Sequence, residues 1–366
     1  NSVRKQGLIA KYRPAYDLSL KPAIERIDQA VDFNWMQGCP DESFKDKDWS
    51  VEWKGKISMP QTKIMRLKIN SPNPTKLLIN KLYVNTTDIG RGQYNQVCYW
   101  KFEAGREYDF QLFFVARNGR GKIKMEWTDA EQEAAQAVRL AQKAQAAIFV
   151  ADIAEGEGMD RSNLNLPGLQ EQMIRQIADS GVKTIVVLTN GGAVTMENWF
   201  DKADAVLTVW RPGEQGGQAV ADVFAGKVNP SGKLPMTWPK DVSQLPLYYN
   251  HLPSGRPHQY IDGTFEPRFA FGHGLSFTTF EYSNLKFEPA QIARGQKTNV
   301  SVAVKNIGKT AGDEVVQLYV RDVVSSVARP VKQLQGFKRI SLEPGQEQVV
   351  TFTLGQQELS LIDKNF

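Results

Sequence analysis

Cysteine and histidine are scarce in this chain. Cys39 and Cys98 are the only two cysteines among 366 residues, and His251, His258 and His273 the only three histidines. Two thiols allow at most one disulfide, so no disulfide framework is present, and neither thiol nor imidazole stands at metal-ligand spacing with another ligand. No metal and no cofactor is therefore expected. Long apolar runs are missing too: none approaches the roughly 18 residues of a membrane-spanning helix, and the opening NSVRKQGLIAKY does not read as a signal peptide. No serine sits in a nucleophile elbow and there is no P-loop. The TNGGAV turn (Thr189 to Val194) lacks the full dinucleotide fingerprint, which leaves close packing of a strand on a helix as the reason for its glycines. Nor is one sign of charge in marked excess. The 45 basic and 40 acidic residues leave +5, spread along the chain. Its densest basic group, RNGRGKIK from Arg117 to Lys124, reads as a solvated hairpin; no stacking motif accompanies it, so a nucleic-acid partner is not expected.

What is present is an ordinary globular composition, 41% hydrophobic and 23% charged. The length calls for two or three domains, and the patterns divide into three. Residues 1–128 read as all-β, with strands such as KIMRLKI, KLLINKLYV, YDFQLFFVA and IKMEWT between Pro, Asn and Gly clusters. Trp35, Trp53, Trp100 and Trp127 are expected in that sandwich's core. Residues 129–276 alternate helix and strand. EQEAAQAVRLAQKAQ is a helix capped by Asp129, AAIFVADI a strand, LPGLQEQMIRQIADSG a helix ending at Gly181, and KTIVVLT a strand. AVTMENWFDKA (helix), DAVLTVW (strand), GGQAVADVFAG (helix) and KLPMTWP (short strand) follow. This alternation predicts a parallel sheet covered on both faces. Residues 277–366 return to β, with NVSVAVKNIG, DEVVQLYVRD and EQVVTFTL as strands of a small antiparallel sandwich. The fold class is thus multidomain α/β plus all-β: a β-sandwich, a parallel α/β sandwich, and a second β-sandwich.

One stretch invites chemistry. In open parallel α/β sheets ligands bind at the carboxyl ends of the strands. The loop leaving the strand AAIFVADI is AEGEGMDR, with Glu155, Glu157 and Asp160 beside Arg161. Gly156 and Gly158 flank Glu157 and permit close backbone approach. Two readings stay open on pattern alone: a carboxyl presented over a cleft, or a solvated acidic loop. Asp160 either pairs with Arg161 or caps a helix near Leu164.

Three further stretches carry a resemblance. WRPGEQGGQAVADVFAGKVNPSGKLPMTWP (210–239), PRFAFGHGLSFTTFEYS (267–283) and RPVKQLQGFKRISLEPG (329–345) resemble, in this order, glycoside hydrolase family 3. The resemblance identifies 129–276 as that family's α/β sandwich domain, incomplete here, and 277–366 as its fibronectin type III-like domain, shortened at its C-terminal end. Residues 1–128 look like the protective-antigen-type β-sandwich that some members carry as an insert. It implies a retaining β-glycosidase, β-glucosidase-like, acting on β-linked oligosaccharides or glycosides. Such chemistry uses two carboxyl groups about 5–5.5 Å apart, one as nucleophile and one as acid/base. In the family the nucleophile is an Asp on an N-terminal (β/α)8 barrel, and the acid/base is often a Glu on a loop matching AEGEGMDR. The resemblance thereby points to Glu157 as acid/base, with Glu155 second for the same role, and to Asp160 and Arg161 as loop support.

Nothing in this sequence reads as a (β/α)8 barrel. The expectation is a C-terminal part whose barrel half, on the same or a separate chain, is its partner; the chain alone is expected to be inactive. A membrane is not an expected partner, homo-oligomers stay open, and the compartment implied by the family is secreted or periplasmic, with the cytoplasm as alternative. The alternative function is a non-catalytic carbohydrate-binding or scaffolding fragment in which the β-sandwich does the work.

Overall fold

Ten strands open the described chain, some of them with alternating buried and exposed side chains. The computed structural model describes residues 7–86, 96–153, 161–254, 261 and 263–361. The strands are β1 (Leu8–Arg13), β2 (Ile24–Asp28), β3 (Asp32–Asn34), β4 (Trp49–Ser58), β5 (Lys63–Asn70), β6 (Thr75–Ile79), β7 (Leu82–Thr86), β8 (Gln96–Phe102), β9 (Glu107–Ala116) and β10 (Lys122–Asp129). They form a six-stranded sheet in the order β2-β1-β4-β9-β6-β7 and a four-stranded sheet, β3-β10-β5-β8. In β9, Tyr108, Phe110, Leu112, Phe114 and Ala116 are buried while the intervening residues are not, so one face of the strand is core. Tyr12, Trp49, Trp53, Leu67 and Phe114 fill that core, and Phe33 stacks on Trp35 at 4.7 Å. The buried carboxylate of Asp28 accepts hydrogen bonds from Tyr12 Oη, Trp53 Nε1 and Arg26 Nε at 2.7–2.8 Å, which offsets the cost of burying its charge. Of the four tryptophans expected inside, Trp127 is instead 45% exposed, whereas Trp49 is fully buried. Cys39 and Cys98 are free thiols.

The alternation then changes period. Helix α1 (Ala130–Ala141) starts at Asp129, whose carboxylate accepts from the backbone N–H groups of Glu131 and Gln132 at 3.1 Å. Strand β11 (Ala146–Asp152), helix α2 (Gln170–Asp179), strand β12 (Lys183–Thr189), strand β13 (Ala205–Thr208) and helix α3 (Gly216–Phe224) follow. Gly181, at φ 84°, stops the chain after α2 in a conformation that favours glycine. The three strands form a sheet ordered β11-β12-β13, and β12 and β13 are parallel. It is not covered on both faces as expected: Ile148 and Val150 of β11 are 53% and 61% exposed.

Two predicted elements are absent as regular structure. AVTMENWFDKA holds only a 3-10 turn at Phe200–Lys202. Ala193, Val194, Thr195 and Met196 are buried in succession, whereas a surface helix turning 100° per residue would expose part of such a run. KLPMTWP is reduced to a single bridge between Trp238 and Phe269, because Pro235 and Pro239 bracket it without N–H donors.

The closing sandwich consists of β14 (Phe280–Glu288), β15 (Thr298–Asn306), β16 (Gly312–Val320), β17 (Gln333–Leu342) and β18 (Glu347–Leu354), followed by the short helix α4 (Gln356–Leu359). One sheet is β14-β15-β18 and the other β16-β17, around Val304, Val316, Ile340, Leu342 and Val350. By contact density the chain divides into two compact units. One takes the chain up to Ala147 together with Pro167–Thr184; the other takes Ile148–Leu166 and everything from Ile185 on. Within the second unit, Lys233 pairs with Glu314 of β16 at 3.2 Å, and Tyr282 of β14 donates to the same carboxylate at 3.0 Å.

Candidate functional site

The carboxyl ends of β11, β12 and β13 are Asp152, Thr189 and Thr208, and hydrogen bonds stitch them together. Thr189 Oγ1 lies 2.8 Å from Asp152 Oδ1 and 3.1 Å from the carbonyl oxygen of Ala151. Thr208 Oγ1 donates to Asn190 Oδ1 at 3.1 Å, and the buried Asn190 donates in turn to the carbonyl of Gly192 at 2.5 Å. That contact, rather than helix packing, occupies the glycine turn: a Cβ on Gly192 would meet nothing within 4 Å.

Arg211 closes the row. Its Nη1 donates to Asp152 Oδ1 at 3.1 Å and its Nη2 to the carbonyl of Ile153 at 2.5 Å. β11 and β13 lie on either side of β12, roughly 9.5 Å apart. The side chain therefore reaches across the carboxyl edge of the sheet. Trp210, immediately before it, has φ 55°, a left-handed conformation that costs a bulky residue on the order of 1–3 kcal/mol. Packing holds it there. The Trp210 ring lies 5.8 Å from that of Trp238, which is fully buried and donates through Nε1 to the carbonyl of Val194 at 2.7 Å.

Glu155, Glu157 and Asp160 lie outside the described residues. The chain on either side of them is described. Before them, Asp152 and Ile153 are held by Thr189 and Arg211. After them, Arg161 Nη2 donates to the carbonyl of Asn165 at 3.0 Å. The side chain of Asn165 accepts from Thr195 Oγ1 at 2.6 Å, and the Thr195 N–H bonds to the carbonyl of Leu164 at 2.9 Å. The near root is thus tied to the sheet's carboxyl edge, and the far root to the stretch that follows β12. Sequence reasoning named Arg161 but missed Arg211, Thr189 and Asp152. The available signal was position: Arg211 opens the loop after a parallel strand, where ligand-facing residues concentrate.

Among the described residues no group of three His, Cys, Asp or Glu side chains is arranged to hold a metal ion. A concavity of about 850 Å³ lies in the first unit, lined by Ile9, Ile27, Lys54, Lys56, Glu107 and Gln111 among others. Two of its cations are engaged, Lys54 with Glu52 at 2.9 Å and Lys56 with Glu107 at 2.5 Å. Arg161, the one described residue of the sequence-predicted site, does not line it.

The model of the glycosyl hydrolase family 3 C-terminal domain matches residues 19–277, and that of the fibronectin type III-like domain matches residues 314–365. The chain belongs to glycosyl hydrolase family 3. Its α/β part is followed by a fibronectin type III-like β-sandwich. Thermostable beta-glucosidase B of Acetivibrio thermocellus is 44% identical over 214 residues, 56% of this chain and 28% of that protein. The periplasmic beta-glucosidase of Salmonella typhimurium is 39% identical over 230 residues, 59% of this chain and 30% of that protein. Among solved structures, the beta-glucosidase of Kluyveromyces marxianus superposes with a TM-score of 0.58 at 25% identity, covering 96% of this chain and 45% of that one. The matched region is therefore less than a third of the length of these two curated family members.

Proposed function

We propose that this chain is the acid/base-bearing part of a retaining β-glycosidase, β-glucosidase-like, that removes terminal β-linked sugars from oligosaccharides or glycosides. Glu157 is the acid/base, with Glu155 second for the role, and Asp160 and Arg161 support the loop. In the first step the protonated carboxyl gives its proton to the glycosidic oxygen as the C1–O bond breaks and its electron pair goes to that oxygen. An Asp of the barrel part attacks C1. In the second step the carboxylate takes a proton from water, which displaces the Asp. The observation that carries this reading is the anchoring of the chain on both sides of the acidic segment, Asp152–Ile153 at the carboxyl edge of the sheet and Asn165 on Thr195 of the stretch after β12.

The (β/α)8 barrel, on the same or a separate polypeptide, is the partner that brings the nucleophile. Three parts, 1–128, 129–276 and 277–366, are the proposed domains. Export to the periplasm or the exterior is the proposed location. It is supported by the relative named periplasmic. Among the described residues no helix is long and apolar enough to cross a membrane.

The test is Glu157→Gln in the enzyme assembled from this chain and its barrel part. Turnover of a poorly activated β-glucoside is expected to fall by roughly 10²–10⁴-fold, with azide restoring turnover of an activated one. Glu155→Gln is expected to cost less. Unchanged turnover in both variants would refute the assignment.

A further inference from the structure

The structure assigns to Arg211 the role of a positioning residue for the acid/base loop. This rests on the acid/base reading given above and extends it to a residue outside the acidic segment. Three observations converge on Arg211. It bridges two acceptors at the point where the loop leaves β11, the carboxylate of Asp152 and the carbonyl of Ile153. It does so from the far side of β12, at the end of β13, so it fixes the loop root to the sheet edge. The residue before it, Trp210, is held in a left-handed conformation that turns the chain at that point. Strain of this kind persists only where surrounding packing enforces it, and it concentrates at sites that must place a group accurately.

A planar guanidinium suits the task because its N–H groups diverge in a fixed fork and meet two acceptors at once. An ammonium reaches either acceptor but does not hold both in one plane. Thr189 bonds the same carboxylate from the end of β12, so Asp152 is held from that strand and from the loop after β13. With Arg161 and Asn165 fixing the other root, what Arg211 controls is the direction in which the chain enters the segment bearing Glu157.

A positioning role for the proton donor makes a prediction that general loosening does not. Leaving groups that depart without a proton are indifferent to the donor in the first step; poor leaving groups are not. In the assembled enzyme, Arg211→Ala is expected to lower kcat/KM for phenyl and alkyl β-glucosides roughly 10- to 100-fold, the size of effect a misplacement near 1 Å produces. For 2,4-dinitrophenyl β-glucoside the change in kcat/KM is expected to stay within about threefold. Arg211→Lys is expected to recover part of the loss. Thr189→Val, which leaves the fold's core untouched, is expected to give the same pattern at smaller amplitude and serves if Arg211→Ala does not fold. Equal losses across all leaving groups, or none, would overturn the assignment. Glu157→Gln and Glu155→Gln are run in the same series. If neither steepens the dependence on the leaving group, the acid/base reading itself falls. If one does and the Arg211 and Thr189 variants do not, the inference about Arg211 alone is wrong.

Discussion

Burial pushes the Cys98 thiol up to about 12, since the apolar surroundings on β8 disfavour the thiolate. A thiol that stays protonated is a poor nucleophile. Iodoacetamide at pH 8 is expected to modify Cys98 at least about tenfold more slowly in the native chain than in denaturant, read by peptide mass spectrometry. The same shift has a stability consequence. A raised folded value means the native state holds its proton longer than the unfolded chain, so the contribution is complete below the unfolded value and drains away as pH rises toward 12. Alkaline unfolding followed by circular dichroism is expected to be less steep in Cys98→Ala over that window. At this scale the sequence was legible only in part. Trp35 and Trp53 read correctly as core, but Trp127 does not differ from them in type or in the side of the strand it occupies: it shares the side of the buried Ile123 and stands opposite the buried Leu67 of β5. It is exposed near the end of β10, two residues before the cap of α1, and where along a strand the packed layer stops is not written in one segment.

Elements were read best where local chemistry marks their ends. Asp129 announced α1, and it does cap that helix while also pairing with Lys63 at 2.6 Å. The Lys63 ammonium and the backbone N–H of Gln132 hold its carboxyl below the usual range. Asp129→Ala is expected to destabilise the chain by about 1 kcal/mol at pH 7. A depressed carboxyl stabilises above its unfolded value and loses that contribution as pH falls through the folded one, so the difference from the parent is expected to shrink below about pH 4 in thermal melts. The hairpin between β6 and β7 offers the opposite sign. Asn80 and Lys81 stand at φ 51° and 66°, and lysine pays for a left-handed backbone that glycine adopts freely. Lys81→Gly creates the Asn-Gly pair that such two-residue turns favour, and is expected to raise stability by a few tenths to about 1 kcal/mol in urea titrations. The missed element, AVTMENWFDKA, failed for a physical reason. Its apolar residues look helical in spacing, but Trp199, Met196 and Val194 are all buried at once, and the Thr195 N–H bonds to Leu164 rather than within a helix. Tertiary contacts overrode local preference there.

For the whole molecule, composition and alternation sufficed for a β-sandwich, an α/β part and a second sandwich, because each period reflects which faces meet a core. The acidic segment was legible as a place, at the end of β11. Its anchoring by Arg211 and Thr189 was not, since those residues are 59 and 37 positions from Asp152 and meet it only through sheet order. The same sheet carries an exposed apolar pair. Ile148 and Val150 alternate onto one face of β11 and stay more than half exposed, while the matched region is under a third of the relatives' length. On the proposed function, the part bearing the barrel covers that face and supplies the second carboxylate. The 366-residue chain by itself is then expected to give no measurable hydrolysis of an aryl β-glucoside, and mixing with the barrel part is expected to restore it. Ile148→Glu combined with Val150→Glu alters side chains already in water, so the melting of the isolated chain is expected to change by no more than about 1 kcal/mol. Yet the charges are expected to raise the concentration of barrel part needed for half-maximal turnover at least tenfold, a cost of about 1.4 kcal/mol in association. Hydrolysis by the chain alone would remove the need for a second carboxylate from elsewhere. An unchanged half-maximal concentration would place the docking face away from β11.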